Sequence, residues 1–317
     1  TAATDAIAVT ASGTFTGASG VTALNALGGK TAGVVTATLT GSISEVASLT
    51  TAATDAIAVT ASGTFTGASG VTALNTLAGK TAGVVTATVS GTASELGDLV
   101  IATTDAIAMT ASGTQTGSSG VTAVNALGTA TAGVVTATLT GTITELGSLS
   151  TAATDMIAVT ASGTQTGSAG VTALNTLAGK TAGVVTATVS GTASELGDLV
   201  IATTDAIAMT ASGTQTGSSG VTAVNALGTA TAGVVTATLT GTITELGSLS
   251  TAATDMIAVT ASGTQTGSAG VTALNALGGK TGGVVTATLT GSISEVASLS
   301  TAATDAIAVT ASGTFTG

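Results

Sequence analysis

Residues 101–150 recur without change at 201–250, and the whole chain keeps a period of 50. The stretch "TAATDAIAVTASGT" at 1 returns at 51 and 301, "TAATDMIAVTASGT" stands at 151 and 251, and "IATTDAIAMTASGT" stands at 101 and 201. A period in this range marks small structural units that bury their apolar faces only against their neighbours, so it predicts a stacked solenoid. Six full repeats (1–50, 51–100, 101–150, 151–200, 201–250 and 251–300) and a partial one (301–317) are read as one continuous array over 1–317. The chain opens and closes inside a repeat, so it is expected to be a segment of a longer protein.

Each 50 halves again. "IAVTASGTF" from Ile7 aligns with "VTATLTGSI" from Val35, matching Ile7 to Val35, Val9 to Ala37, Ala11 to Leu39, Gly13 to Gly41 and Phe15 to Ile43. The unit is therefore a coil of about 25 residues, alternately longer and shorter, and the chain holds roughly a dozen of them. Val35, Ala37, Leu39, Gly41 and Ile43 alternate with Thr36, Thr38, Thr40, Ser42 and Ser44, the period of a strand with one buried face. "SGVTALNALGGK" then changes to a spacing of three (Val21, Leu24, Leu27), with Ser19 as a possible N-cap and Gly28–Gly29 as a stop. "SEVASLTTAATD" reads as a second short helix with Ser44 as cap, Glu45 in its first turn, and Val46, Leu49, Ala52 and Ala53 inward.

Strands alternating with short helices imply parallel strands joined by right-handed crossovers. The expected fold is a right-handed parallel β-solenoid with short helices. An advance of about 4.8 Å per coil would make it on the order of 60 Å long. Helices need about 8–10 Å, so odd and even helices are expected to sit at different heights. Val9 beside Ala37 and Ala11 beside Leu39, repeated by Met109 with Ala137 and Ala111 with Leu139, would form a large-small checkerboard core.

Composition removes most chemistry. Cys and His are absent, as are Pro, Trp and Tyr, which leaves no thiol nucleophile, no imidazole base and no usual zinc or iron ligands. Four Lys, no Arg and a net charge of −11 oppose binding to nucleic acid or anionic lipid. Mean hydropathy is +0.68, yet Thr or Gly interrupts every apolar run, so no membrane insertion is expected. No enzyme activity is expected, since a carboxylate pair repeated six times without a sugar-stacking aromatic makes a poor glycosidase.

Several recurring positions remain as candidate sites. Thr10, Thr14, Thr36, Thr38 and Thr40 would form a neutral hydroxyl face, open to solvent, to another solenoid, to glycan or to ice. Gly13 and Gly41 mark bends, and Asn25 with its copies is expected to satisfy backbone groups at a turn. Asp5 is expected to cap the turn before its strand. With Glu45, and with Asp98 in alternate repeats, it is also the only place a calcium ion could be sought, although six or more oxygens would be needed. The Phe15 column changes to Gln115, Gln165, Gln215 and Gln265 and returns to Phe315, so it is placed past the Gly13 bend and outside a dry core. Lys30, Lys80, Lys180 and Lys280 are read as solvent-facing helix ends.

The hydrophobic-Thr strands, the Gly-Ser-Ile-Ser or Gly-Thr-Ile-Thr turns, Glu-Leu-x-x-Leu and the Thr-Ala-Ala-Thr-Asp link resemble tandem repeats of giant secreted bacterial proteins, notably cyanobacterial cell-surface and motility-type repeat proteins. That resemblance implies a cell-surface location and a structural role, with no catalytic residues to carry over. The resulting expectation is an extracellular filament or surface layer built by head-to-tail and lateral self-association. The alternative is an adhesin stalk or a solenoid whose Thr face binds glycan or ice.

Overall fold

The computed structural model describes residues 4–313. It divides into two compact units, Thr1–Val159 with Lys180–Gly183, and Thr160–Gly179 with Val184–Gly317. Each is a parallel β-solenoid in which strand and helix alternate strictly.

The first unit contains β1 (Val9–Thr16), α1 (Gly17–Gly28), β2 (Val35–Ser42), α2 (Ile43–Val46), β3 (Ala56–Thr66), α3 (Gly67–Ala78), β4 (Val85–Thr92), α4 (Ala93–Gly97), β5 (Ala106–Thr116), α5 (Gly117–Ala130), β6 (Val135–Thr142) and α6 (Ile143–Leu146). Strand β7 (Met156–Thr166) falls across the division and is followed by α7 (Gly167–Ala178). The second unit continues with β8 (Val185–Thr192), α8 (Ala193–Gly197), β9 (Ala206–Thr216), α9 (Gly217–Ala230), β10 (Val235–Thr242), α10 (Ile243–Leu246), β11 (Met256–Thr266), α11 (Gly267–Gly278), β12 (Val285–Ser292), α12 (Ile293–Val296) and β13 (Ala306–Ser312). Within each unit, strands consecutive in the chain pair in parallel.

The strand alternation is as expected: Val35, Ala37 and Leu39 are buried while Thr36 and Thr38 are exposed. The register is not. Val9 pairs with Val35, and Phe15, not Ala11, stands beside Leu39. Likewise Met109 meets Val135, and Gln115 meets Leu139. In these rows large residues lie beside large ones, as in Val89 with Met109, while the small Ala37 and Ala87 meet Ile57 and Ile107; the expected pairs of Val9 with Ala37 and Ala11 with Leu39 are not formed.

A bulge causes the difference. Between Thr10 and Thr14 the long strand passes four residues while its partner passes two, from Thr36 to Thr38. Gly13 sits inside it at φ +83°, a left-handed conformation that a side chain would strain. Gly41, with which it was aligned, is an ordinary ladder residue opposite Ala61.

The register also staggers the coils. From Val9 the ladder runs through Val35 toward residue 55, four short of the equivalent Val59; beyond the bulge, Thr14, Thr38 and Ala58 lie in line, six short of Thr64. The two extra residues of the bulge account for the difference, so the offset is four ladder steps in both cases; at about 3.3 Å per residue and about 4.8 Å per strand, like residues of consecutive repeats are roughly 16 Å apart, or about 8 Å per coil. That matches the spacing of about 8–10 Å between packed helices. Helices of successive coils pack directly, α3 on α4 and α4 on α5, so no alternation of heights is required. Within each unit the advance per coil is therefore larger than the expected value of about 4.8 Å.

The connectors differ from expectation in detail. The long helix begins one turn before Ser19, with Thr16 as N-cap and no side-chain bond capping it; the Ser19 hydroxyl donates back to the Thr16 carbonyl. The second helix is a single turn whose N-cap is Ser42 rather than Ser44. Val46 and Leu49 are buried as expected, whereas Ala52 is exposed.

Candidate functional site

Of the residues that recur most faithfully, Asn275 and Glu295 line an open cleft with Ser268, Ser294 and Ser298. The recurring residues form joints between coils, and the outer sheet face lies apart from them.

The buried joint is built around Asp55, the copy of Asp5 in the second repeat. Its side chain accepts the Val35 amide of the preceding strand at 2.8 Å and the Ala52 amide of its own turn at 2.9 Å. Its carbonyl accepts the Ala82 amide of the following coil at 2.8 Å. One residue thus ties three coils, and it is only 3% exposed. Asp5 itself accepts from Ala32 through its carbonyl in the same manner.

Next to it lies a residue the sequence reading overlooked. The Thr81 hydroxyl accepts the amides of Ile57 and Gly83, both at 2.9 Å, and shares its one proton between the carbonyls of Asp55 (2.9 Å) and Ile57 (2.7 Å). Gly83 must be glycine, because a Cβ there would lie 2.3 Å from the Ile57 carbonyl carbon. The available signal was constancy: Thr-Ala-Gly-Val-Val stands in five repeats and Thr-Gly-Gly-Val-Val in the sixth.

The exposed joint is built on Glu45. Its Oε2 accepts the amide and hydroxyl of Ser42, both at 2.7 Å, in a capping-box arrangement. Its Oε1 accepts the Ala18 amide at 3.2 Å, supplying the N-terminus of α1 with the acceptor its own N-cap lacks. The Ser42 hydroxyl, then the Ser42 and Ala18 amides, hold this carboxyl below the usual glutamate range, because each donates to the charged form.

Asn25 works as expected. Its Nδ2 donates to the Ser48 carbonyl at 2.9 Å and its Oδ1 accepts the Thr50 amide at 2.8 Å, so it clamps the turn of the next coil. The lysines are more than solvent-facing ends. Lys180 Nζ donates to the carbonyls of Gly147 (2.6 Å) and Leu149 (2.7 Å), and Lys80 Nζ to that of Ala47 (2.6 Å), at the turn that ends the short helix.

The Phe15 column lies past the glycine bulge and is more covered than expected: Phe65 is 3% exposed, Gln165 9% and Gln265 7%, while Phe15, Gln115 and Gln215 are half-buried. Gln is tolerated because its amide donates to the carbonyls that the bulge frees, in Gln165 those of Ser162 (3.3 Å) and Gly163 (3.2 Å). Phe315 lies outside the described residues.

Thr10, Thr14, Thr36 and Thr38 are exposed and Thr40 is half-buried on the outer face, where Thr10 stands beside Thr36, Thr14 beside Thr38 and Thr40 beside Thr60. No charged residue occurs in 6–16, in 34–42 or in any copy of those stretches. The calcium candidates are spread out, Asp5 before β1, Glu45 in α2 and Asp98 at the C-cap of α4. Among the described residues no group of three or more His, Cys, Asp or Glu could hold a metal ion, and no helix is long and apolar enough to cross a membrane.

Comparison with protein-family models, with curated proteins and with solved structures finds no match.

Proposed function

We propose that the chain is a structural, non-catalytic element of an extracellular filament or surface layer, lengthened by adding coil upon coil along the same parallel ladder. The observation that carries this reading is the sameness of the joint. The amide of the first residue of each short strand reaches the aspartate of the next coil at 2.8 Å in every repeat, from Val35 with Asp55 to Val285 with Asp305. A joint that does not change along the chain sets no length of its own.

Coil-on-coil contact supplies the driving force: Ile57 is fully buried and Val59 is 1% exposed between their neighbouring coils. Covering a side chain of this kind stabilises the stack by about 1.5–3 kcal/mol. An outside location rests on the resemblance to secreted repeat proteins and on a composition of small residues with only three aromatics.

A second reading, an adhesin stalk whose Thr face takes glycan or ice, draws on the charge-free rows of hydroxyls. Electron microscopy of the purified chain and of the native cell surface separates the two. Filaments of uniform width growing with concentration support the first; rods of fixed length, one end anchored on the cell, contradict it.

A further inference from the structure

The turn that follows each short helix is built alike, and over the first five repeats it carries alternating charge. In the first unit, the turn at 47–50 holds the Lys80 ammonium, the turn at 97–100 holds the Asp98 carboxylate, and the turn at 147–150 holds the Lys180 ammonium. In the second unit, Asp198 occupies its turn, and Lys280 donates to Gly247 and Leu249 at the next. Wherever the aspartate stands, the lysine that would reach it is missing, replaced by Ala130 and Ala230.

The change to Ala130 and Ala230 goes with long helices α5 and α9 that are 14 residues long rather than 12, but nothing inside the coil rewards the aspartate. Asp98 lies at the C-cap of α4, the end where the peptide dipoles disfavour an anion, and its exposed carboxylate has no hydrogen-bond partner among the described residues. Two residues on, Val100 is 77% exposed and Val200 76%, where the other repeats place Thr50, Ser150, Ser250 and Ser300. Both valines are held firmly, their amides bonded to the Asn75 and Asn175 side chains at 2.8 and 2.7 Å. The lysines at the other turns are held too, and Lys180 spends two of its three N–H donors on backbone carbonyls, leaving one unspent.

The geometry points to a second copy of this chain, docked side by side along this edge and displaced by one 50-residue repeat. That offset, or any odd number of repeats, brings Asp98 and Val100 of one copy against a lysine-bearing turn of the other. An even offset opposes carboxylate to carboxylate and ammonium to ammonium, so the alternation fixes the register as well as the partner. The inference adds lateral pairing to the axial growth proposed above and does not depend on it.

The test is sedimentation velocity together with filament width in micrographs, for the full chain and for a variant carrying Asp98→Ser, Val100→Ser, Asp198→Ser and Val200→Ser. Each replacement copies the residue that the third repeat already carries in the same turn, so the fold is retained. The wild type should pair laterally, pairing should weaken as salt rises, and the variant should lose about tenfold or more in association, the scale of losing an interfacial anchor. Carbodiimide cross-linking of mixed heavy- and light-isotope chains should join Asp98 of one copy to Lys80 or Lys180 of another. A wild type that stays single, or a variant that pairs equally well, overturns the proposal. Pairing that survives these changes but is lost on Thr36→Lys and Thr38→Lys would place the contact on the threonine face instead and overturn it equally. Loss of axial growth with lateral pairs intact would instead count against the filament reading alone.

Discussion

Among the joints between coils, two in each repeat use the same chemistry in opposite surroundings. At Asp55 a carboxylate is almost sealed from water and accepts two amides from two different coils, while its carbonyl accepts from a third. At Glu45 a carboxylate does a similar task in the open, accepting from Ser42 and Ala18. An amide stranded in the first place has no water to turn to; one stranded in the second has plenty. The buried joint therefore sets whether the stack forms, and the exposed joint adjusts how firmly the helices hold.

The largest effect should come from crowding the buried joint. Gly83→Ala forces a Cβ onto the Ile57 carbonyl, backbone against backbone, where no side chain can yield. The loss should reach or exceed the upper end of the usual ~1–3 kcal/mol for overpacking, seen as fast amide exchange confined to β3 and β4. Protection equal to wild type would break the comparison at its strongest point.

Asp105→Ala should come next. It strands the amides of Val85 and Ala102, each worth about 1–3 kcal/mol when buried and unpaired. Urea denaturation should show the loss, and hydrogen exchange should localise it to those two amides. A near-neutral result would mean that water enters the joint.

The exposed joint should respond least, and to pH. Glu95 is held below its usual range by the Thr92 amide first and the Thr92 hydroxyl second. A carboxyl depressed on folding gives its full stabilisation above the ordinary glutamate range and loses it as pH falls through the lower folded value. All six glutamates of this kind are shifted the same way, so thermal stability should decline gradually below the glutamate range in wild type. Replacing them with Gln should flatten that acid limb while leaving the neutral-pH stability only slightly lower. An acid limb unchanged in the Gln variant would show that these glutamates do not carry it.

The same contrast explains what could be read from the amino-acid order. Alternation in Val35–Ser42 and the spacing of Val21 and Leu24 are local, and they gave parallel strands and inward helices. Register is not local. It depends on two extra residues at Gly13, and textual likeness between Gly13 and Gly41 aligned a bulge glycine with a ladder glycine. Thr31 and its copies were lost among many threonines, since a hydroxyl that accepts two amides is spelled like one that faces water. The Gln column misled for a similar reason: the carbonyls that satisfy Gln165 exist only once the bulge has formed. Glu45 was placed correctly at a helix start, but its reach to the preceding helix needed the stack itself.

The stack and its register can be tested together by paired cysteines on the outer face. Thr60 lies directly across from Thr86, and Thr88 lies across from Thr64. In-line neighbours at about 4.8 Å fall within the Cα separation a disulfide accepts. Mild oxidation should close Thr60→Cys with Thr86→Cys rapidly within one chain and leave Thr60→Cys with Thr88→Cys open. Rapid closure of the second pair and not the first would contradict the staggered parallel ladder on which the account rests.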